Sequence, residues 1–428
     1  MNILFISEYF PPYDRGGAEI STSLIIKYIT QYYNCYILTE KYQGKPWRYN
    51  GSTVYPVLKR IHMERRSFVS MFRYGINIII APVINIIRIV NFIKRHDIDI
   101  IHFVPTAYYY TNLIIAAILT RKPFVIDIRG LSLICPVSFT SKFCKDNNYA
   151  KHNYNCLRTS YAVDNKILKI VSVIIALYEY TIFYSHIKIF KIALKLTNKY
   201  KIIPNSKFVR DMLIKNGYPE KEIQVIYNII NIMPEGGKRY SRKNRIIYAG
   251  QLEKFKGIWD VIFAFKLLNN KKLSLLIVGD GREMDNLTSY IKEKKISNIE
   301  FLGRLPNEMV RNLYCESKIV VSPSKSPEAF GRFILESFAA GTPLITTNVG
   351  GNPEGIKNRE TGILIEPGDY IGLAGAIEEL LNNNKLYKHI ADKLKNEINK
   401  YSPETIGRQR LKLYESLIGD HSKINQAD

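Results

Sequence analysis

The run Ser326 to Pro343 reads SPEAFGRFILESFAAGTP and holds two glutamates, Glu328 and Glu336, with seven residues between them. Glu336 falls on a helix that the pattern starts near Gly331, and Glu328 in the loop just before it. A helix N-terminus presents unpaired backbone N–H groups and a partial positive charge, so a pyrophosphate can rest there. Phe330-Gly331-Arg332 supplies a turn at which the backbone can approach phosphates closely. One carboxylate is then placed to accept hydrogen bonds from sugar hydroxyls and the other from ribose hydroxyls. Two isolated glutamates are most often exposed helix caps; the flanking glycines and prolines set this pair apart.

Such a run needs a strand before it and a helix after it, and the sequence around it repeats that unit. The runs IIYAG, LSLLIVGDG, IEFLG, KIVVSPS, PLITTN and GILIEP are six strand candidates between residues 240 and 400, mostly alternating with helical segments, the pattern of a doubly wound sheet. Ahead of them, Met233-Pro234-Glu235-Gly236-Gly237 and the basic run Lys238 to Arg245 read as an interdomain linker. The first half, residues 1–232, alternates in the same way. Its apolar runs are Asn2 to Ser7, Tyr36 to Thr39, Asp99 to Val104, Phe124 to Ile128 and Lys201 to Pro204, which predicts a second parallel sheet with helices on both faces. Ser402-Pro403-Glu404 reads as a helix start, and a helix over about 403–420 is expected to cross back to the first domain.

Composition agrees with two cores. A chain of 428 residues fits two domains of about 200 residues, and 46% hydrophobic with 23% charged residues is a globular balance. The 61 Lys and Arg exceed the 38 Asp and Glu to give +23, so the surface attracts polyanions. No zinc finger, aromatic-plus-glycine motif or basic helical arm is present, so nucleic acid is not expected as a partner, and anionic lipid and pyrophosphate are the better candidates. Met1 to Ile6 reads as a strand rather than a leader, and five cysteines make no disulfide framework, so a cytoplasmic, reduced protein is expected. Ile76 to Ile93 and Ile167 to Leu196 are interrupted by Pro82, Arg88, Lys169 and Glu179, and read as buried or interfacial helices rather than membrane spans.

The segment around Glu328 and Glu336 resembles the Glu-x7-Glu motif of the retaining GT-B glycosyltransferases of family 4. The resemblance extends to Gly250-Gln251-Leu252 with Lys256-Gly257, similar to the family's phosphate loop, and to Val278-Gly279-Asp280-Gly281 at the next strand end. It also covers Phe301-Leu302-Gly303-Arg304, Gly341-Thr342-Pro343 and Val349 to Glu354, and Gly16-Gly17-Ala18-Glu19 resembles the N-terminal glycine loop. The resemblance implies a GT-B architecture, two doubly wound Rossmann-like α/β domains facing across a cleft, with a nucleotide-sugar donor on the C-terminal side and the acceptor on the N-terminal side. It implies retaining transfer from a UDP-sugar, or a GDP-sugar, to a saccharide or lipid-linked saccharide acceptor, with no cofactor and no essential metal. An anionic membrane surface is a further expected partner.

Carried over residue by residue, it marks Glu328, Lys256 and Arg129 as catalytic, and Gly16, Gly17, Gln251, Lys256, Gly279, Arg304, Phe330, Gly331, Arg332 and Glu336 as donor-binding. Lys256 is a charge that can neutralise the departing diphosphate. Two positions depart from the family: Gln251 stands where an arginine is usual, and Arg129 stands where a histidine is usual. Arg129 either stabilises the diphosphate, holds structure or binds the acceptor. His102, at the end of DIIHFV, is the acceptor-side candidate, with a structural histidine as the alternative. Cys135, Cys144, His152 and Cys156 lack the tight spacing of a zinc knuckle, so no metal is expected, and Asp97-Ile98-Asp99 reads as a helix-to-strand turn. Gln251 and Arg129 also motivate a rival reading, an inactive nucleotide- or glycan-binding scaffold; a sugar-phosphate synthase is another.

Overall fold

The structure is a computed structural model that describes residues 1–12, 17–40, 45–59, 68–104, 110–131, 133–135, 180–181, 183–197, 199–231 and 242–419, with backbone alone for 68–79 and 110. Gly16, Arg60, Arg65, Arg66, the linker 233–237 and the candidate ligands Cys144, His152 and Cys156 lie outside the described residues. The chain divides into two compact units: residues 1–205, 209–226 and 406–428 form one, and 206–208 with 227–405 the other.

The first unit is built on strands β1 (Asn2–Ser7), β2 (Asn34–Glu40), β3 (Trp47–Tyr49), β4 (Ser52–Leu58), β5 (Ile100–Val104), β6 (Phe124–Ile128) and β7 (Tyr200–Pro204). Their order is β3-β4-β2-β1-β5-β6-β7, and every neighbouring pair is parallel except β3 with β4. β1, β5 and β6 are apolar runs because helices cover both faces of a parallel sheet. The order in which successive strands are laid across the sheet reverses between β1 and β5, the register there setting Phe5 beside His102.

The β3–β4 hairpin was not among the strands expected from the sequence. Asn50 and Gly51 have φ of 44° and 80°, the mirror-image turn that joins two strands by two residues, and β4 then alternates buried and half-buried side chains. Pro56, within β4, had masked that alternation. The helix Pro403–Ile418 belongs to this same unit and buries Ile406, Leu413 and Tyr414. Gly407 lets it approach the helix Gly17–Ile29: a Cβ there would stand 2.1 Å from the Tyr28 ring.

The second unit carries β8 (Lys243–Ala249), β9 (Ser274–Val278), β10 (Ile299–Gly303), β11 (Ser317–Ser322), β12 (Leu344–Thr347) and β13 (Ile363–Ile365). These are the six runs expected, in the order β10-β9-β8-β11-β12-β13, all parallel. Its core is Ile, Leu, Val and Phe from the strands and from helices Ile258–Leu268, Arg332–Ala340 and Tyr370–Asn382. The winding reverses between β8 and β11. In open α/β sheets the loops leaving the two strands at such a point diverge and leave room for a ligand.

Candidate active site

At the switch point of the second unit the loop after β8 meets the loop after β11. Lys256 ends a short 3-10 turn, Lys254–Lys256, and Glu328 lies between β11 and the helix Arg332–Ala340. Their side chains form an ion pair, Nζ to Oε1 2.7 Å, with 28% and 19% of the side chains exposed. Backbone contacts fix the geometry. Lys325 N–H donates to the Phe255 carbonyl at 2.8 Å, and the Lys325 ammonium pairs at 2.7 Å with the buried Asp260. Gly257 has φ of 74°, and a Cβ on it would fall 1.8 Å from the Pro323 carbonyl oxygen, so only glycine lets the two loops touch.

Glu328 is held from the far side as well. Gly351 N–H donates to its carbonyl at 2.7 Å, and a Cβ on the neighbouring Gly350, at φ 58°, would meet that carbonyl at 2.2 Å. The helix Arg332–Ala340 starts at Gly331 without a side-chain cap, leaving its first N–H groups for an anion. Glu336 faces inward, only 7% exposed, and accepts from Arg332 Nε at 2.9 Å and Asn307 Nδ2 at 3.0 Å. Asn307 had no signal in the sequence, because its contact spans 29 residues.

The remaining donor-side candidates ring the same strand ends. Gln251 is exposed, and its carbonyl accepts from the Tyr248 hydroxyl at 2.8 Å. Gly279 follows β9 and donates to the Gly303 carbonyl at 2.8 Å, and Arg304 follows β10 with an exposed side chain. Phe330 is different: its ring is 4% exposed and packs 5.1 Å from Tyr227 and 5.7 Å from Tyr401, so what it offers a ligand is backbone.

In the first unit the polar candidates are enclosed. His102 and Asp127 come from β5 and β6, and His102 Nε2 lies 3.3 Å from Asp127 Oδ2. The same oxygen accepts from Arg129 Nη2 at 2.7 Å and from Arg410 Nη1, on the C-terminal helix, at 3.0 Å. Arg129 also donates to the Ala18 carbonyl, which ties it to the start of the helix Gly17–Ile29. The Tyr414 hydroxyl is 2.7 Å from His102 Nδ1, so both ring nitrogens are engaged.

Burial lowers the His102 imidazole from 6.5 to about 4, against the opposing pull of Asp127, and keeps it neutral near pH 7. Burial works to raise the Asp127 carboxyl, but Arg129, Arg410 and the His102 hydrogen bond hold it well below the ordinary carboxylate range. Lys256 and Glu328 are thus brought together, as are Arg332 and Glu336, whereas Arg129 and His102 share a separate buried cluster. Arg410 and Tyr414 complete that cluster; the sequence showed the helix but not its task. Cys135 is buried and forms no disulfide, and among the described residues no group of His, Cys, Asp and Glu is arranged to hold a metal.

Two sheets of this winding in one chain define the GT-B glycosyltransferase fold. The crystal structure of Anabaena Alr3699/HepE in complex with UDP-glucose matches with a TM-score of 0.66 over 97% of this chain and 100% of that one, at 18% identity. Residues 230–397 match the family of glycosyl transferases group 1. N-acetyl-alpha-D-glucosaminyl L-malate synthase of Bacillus anthracis is 32% identical over 215 residues, 47% of this chain and 56% of that protein. The capsular polysaccharide biosynthesis glycosyltransferase CapM of Staphylococcus aureus is 28% identical over 176 residues, 40% and 46% of the two chains. These matches span about half the length of the relatives. The second unit is thus the part of the chain that is similar to the glycosyl transferases of group 1, within a chain of GT-B fold.

Proposed function

We propose that the chain is a retaining, family 4 type glycosyltransferase that moves a sugar from a UDP-sugar to a saccharide or lipid-linked saccharide acceptor in surface polysaccharide biosynthesis. It meets that acceptor on the anionic cytoplasmic face of a membrane. The observation that carries the reading is the Lys256–Glu328 pair at the switch point, beside the uncapped N-terminus of the helix that bears Glu336. A diphosphate seated on that N-terminus draws on Lys256 for charge, and Glu328, partly released from the lysine, accepts from sugar hydroxyls. Glu336, oriented by Arg332 and Asn307, accepts from the ribose.

In the transfer, the bond from the sugar C1 to the diphosphate oxygen breaks and the bond from C1 to the acceptor oxygen forms on the same face. The acceptor proton passes to the departing diphosphate. Lys256 and the helix N–H groups stabilise the negative charge that grows on that leaving group, so the scheme calls on no metal or cofactor. The UDP preference is supported by the UDP-glucose complex of the Anabaena protein, and the polysaccharide setting by the name of CapM.

A thermal-shift screen against UDP- and GDP-sugars tests it, since a ligand at 100 times its Kd stabilises by about 2.7 kcal/mol. A UDP-sugar is expected to raise the melting point and to be hydrolysed slowly without acceptor. Glu336→Ala is expected to weaken the shift, and Glu328→Ala to slow hydrolysis more than it weakens binding. A shift without hydrolysis would leave a binding scaffold, and no shift with any nucleotide sugar would end the donor-site assignment.

A further inference from the structure

The first unit exposes apolar side chains in a pattern that its own fold does not use. On the helix Phe68–Arg95, Ile80, Val83 and Ile87 are each 44–55% exposed and follow one stripe of the surface, at i, i+3 and i+7. In the helical residues 183–194 and the turn after them the same spacing recurs: Ile189, Ile192 and Leu196 are 48–71% exposed. Between the two lies the helix Tyr110–Thr120, with Leu119 exposed. It packs on the helix Phe68–Arg95, and its Thr111 Oγ1 lies 2.8 Å from His186 Nδ1. The three helices are therefore neighbours. All three join strands that step in one direction across the sheet, β4 to β5 to β6 to β7, and right-handed crossovers set them on one face.

The charges carried by these segments have one sign. Residues 80–95, 110–122 and 183–199 contain nine Lys and Arg and no Asp or Glu. Lys188 and Lys195 are exposed and stand within one helical turn of Ile192. Long basic side chains interleaved with apolar ones suit a bilayer interface: the apolar groups enter the acyl boundary while the ammonium groups reach back to lipid phosphates. A protein partner would be expected to answer to a mixture of signs, and none of the described helices is long and apolar enough to cross a membrane.

We propose that these three helices form a docking face for an anionic lipid bilayer, so that the first unit lies on the membrane with the stripes Ile80–Val83–Ile87 and Ile189–Ile192–Leu196 at the acyl boundary. The proposal rests on the membrane part of the function above and not on the transfer chemistry.

Flotation with vesicles of phosphatidylglycerol and phosphatidylcholine, against phosphatidylcholine alone, tests it on the full chain. The protein is expected to float with the anionic vesicles and to be released by high salt. Ile80→Glu with Ile87→Glu, and separately Ile192→Glu with Leu196→Glu, are each expected to weaken binding at least tenfold with unchanged melting points. Lys188→Gln with Lys195→Gln keeps the apolar stripe and is expected to weaken binding about fivefold per charge. Hydrolysis of a UDP-sugar without vesicles reads the donor site on its own, and is expected to be the same in all these variants. Failure of the wild type to float, or flotation unchanged in both glutamate variants, overturns the docking face. A wild-type dimer in light scattering that the glutamate variants convert to monomer also overturns it, by assigning the face to a second copy of the chain.

Discussion

The two sheets share one winding, but their polar groups at the strand ends are put to opposite uses. At the switch point of the second unit, Lys256 and Glu328 remain partly exposed and bonded to each other, on loops pinned by glycine-dependent contacts. In the first unit, His102 of β5, Asp127 of β6 and Arg410 and Tyr414 of the C-terminal helix are all at most 1% exposed and bonded to one another. Charge that stays half in water can be redirected to a ligand at small cost, because solvent already screens it. Charge that is buried can be removed only by leaving its partner stranded. The first site therefore has the physics of a binding site, and the second that of a fastening.

That contrast breaks most visibly at Arg410. Arg410→Ala takes one of two guanidinium donors from the buried Asp127 oxygen and leaves a cavity where a wholly buried side chain stood, and should lower unfolding stability by about 2–5 kcal/mol. Urea denaturation would measure it; a loss under about 1 kcal/mol, the usual worth of a surface ion pair, would mean the cluster is not a fastening. Lys256→Ala should do the reverse. Transfer from the UDP-sugar should fall by about 10²–10³-fold while the melting point stays near wild type, and a matching fall in stability would erase the distinction between the two sites.

pH sharpens the same comparison. Below its ordinary 6.5 the His102 imidazole takes a proton in the unfolded chain, but in the folded chain only near pH 4. Stability is thus complete above pH 6.5 and falls as pH drops toward 4, by about 3 kcal/mol in total. Asp127, held well below the ordinary carboxylate range, adds a loss of the same sign at lower pH. Denaturation midpoints at pH 7 and pH 5 would show much of this drop in the wild type and equally in Lys256→Ala; a midpoint that does not move would show that His102 takes its proton at the same pH in the folded and unfolded chain. The smallest effect is expected at Gln251→Arg, whose guanidinium would join Lys256 at the diphosphate and keep or raise donor affinity by up to about tenfold. Titration of UDP would reveal it, and loss of binding in a folded variant would displace Gln251 from the phosphate loop.

The sequence made the second unit plain because each of its strands is an apolar run closed by Gly, Pro or Asn. The first unit was less open to reading. β3 and β4 are joined by Asn50-Gly51, a strong hairpin signal, but Pro56 in the following strand argues against a paired strand until its register with Thr39 is seen. The buried cluster had a fainter sign still: one His in IIHFV and one Asp in FVIDI, polar residues in runs otherwise fit for a core. A buried polar group must find a partner, but nothing local says that the partners stand at 410 and 414, some three hundred residues on. The glutamate pair around Gly331 was visible for the opposite reason, since strand end, turn and helix start fall within a single short run.

The place of Arg410 and Tyr414 in the chain also sets an order of assembly. The strands that hold His102 and Asp127 are made early, and the whole of residues 227–405 is made before the helix that covers them. During synthesis the first unit therefore waits, with a carboxylate and an imidazole facing water where the finished protein has neither, while the second unit, continuous from 227 to 405, is free to fold. Closure of the first unit waits for that helix, and a chain cut before residue 410 would carry the whole of residues 227–405 and an unsealed first unit.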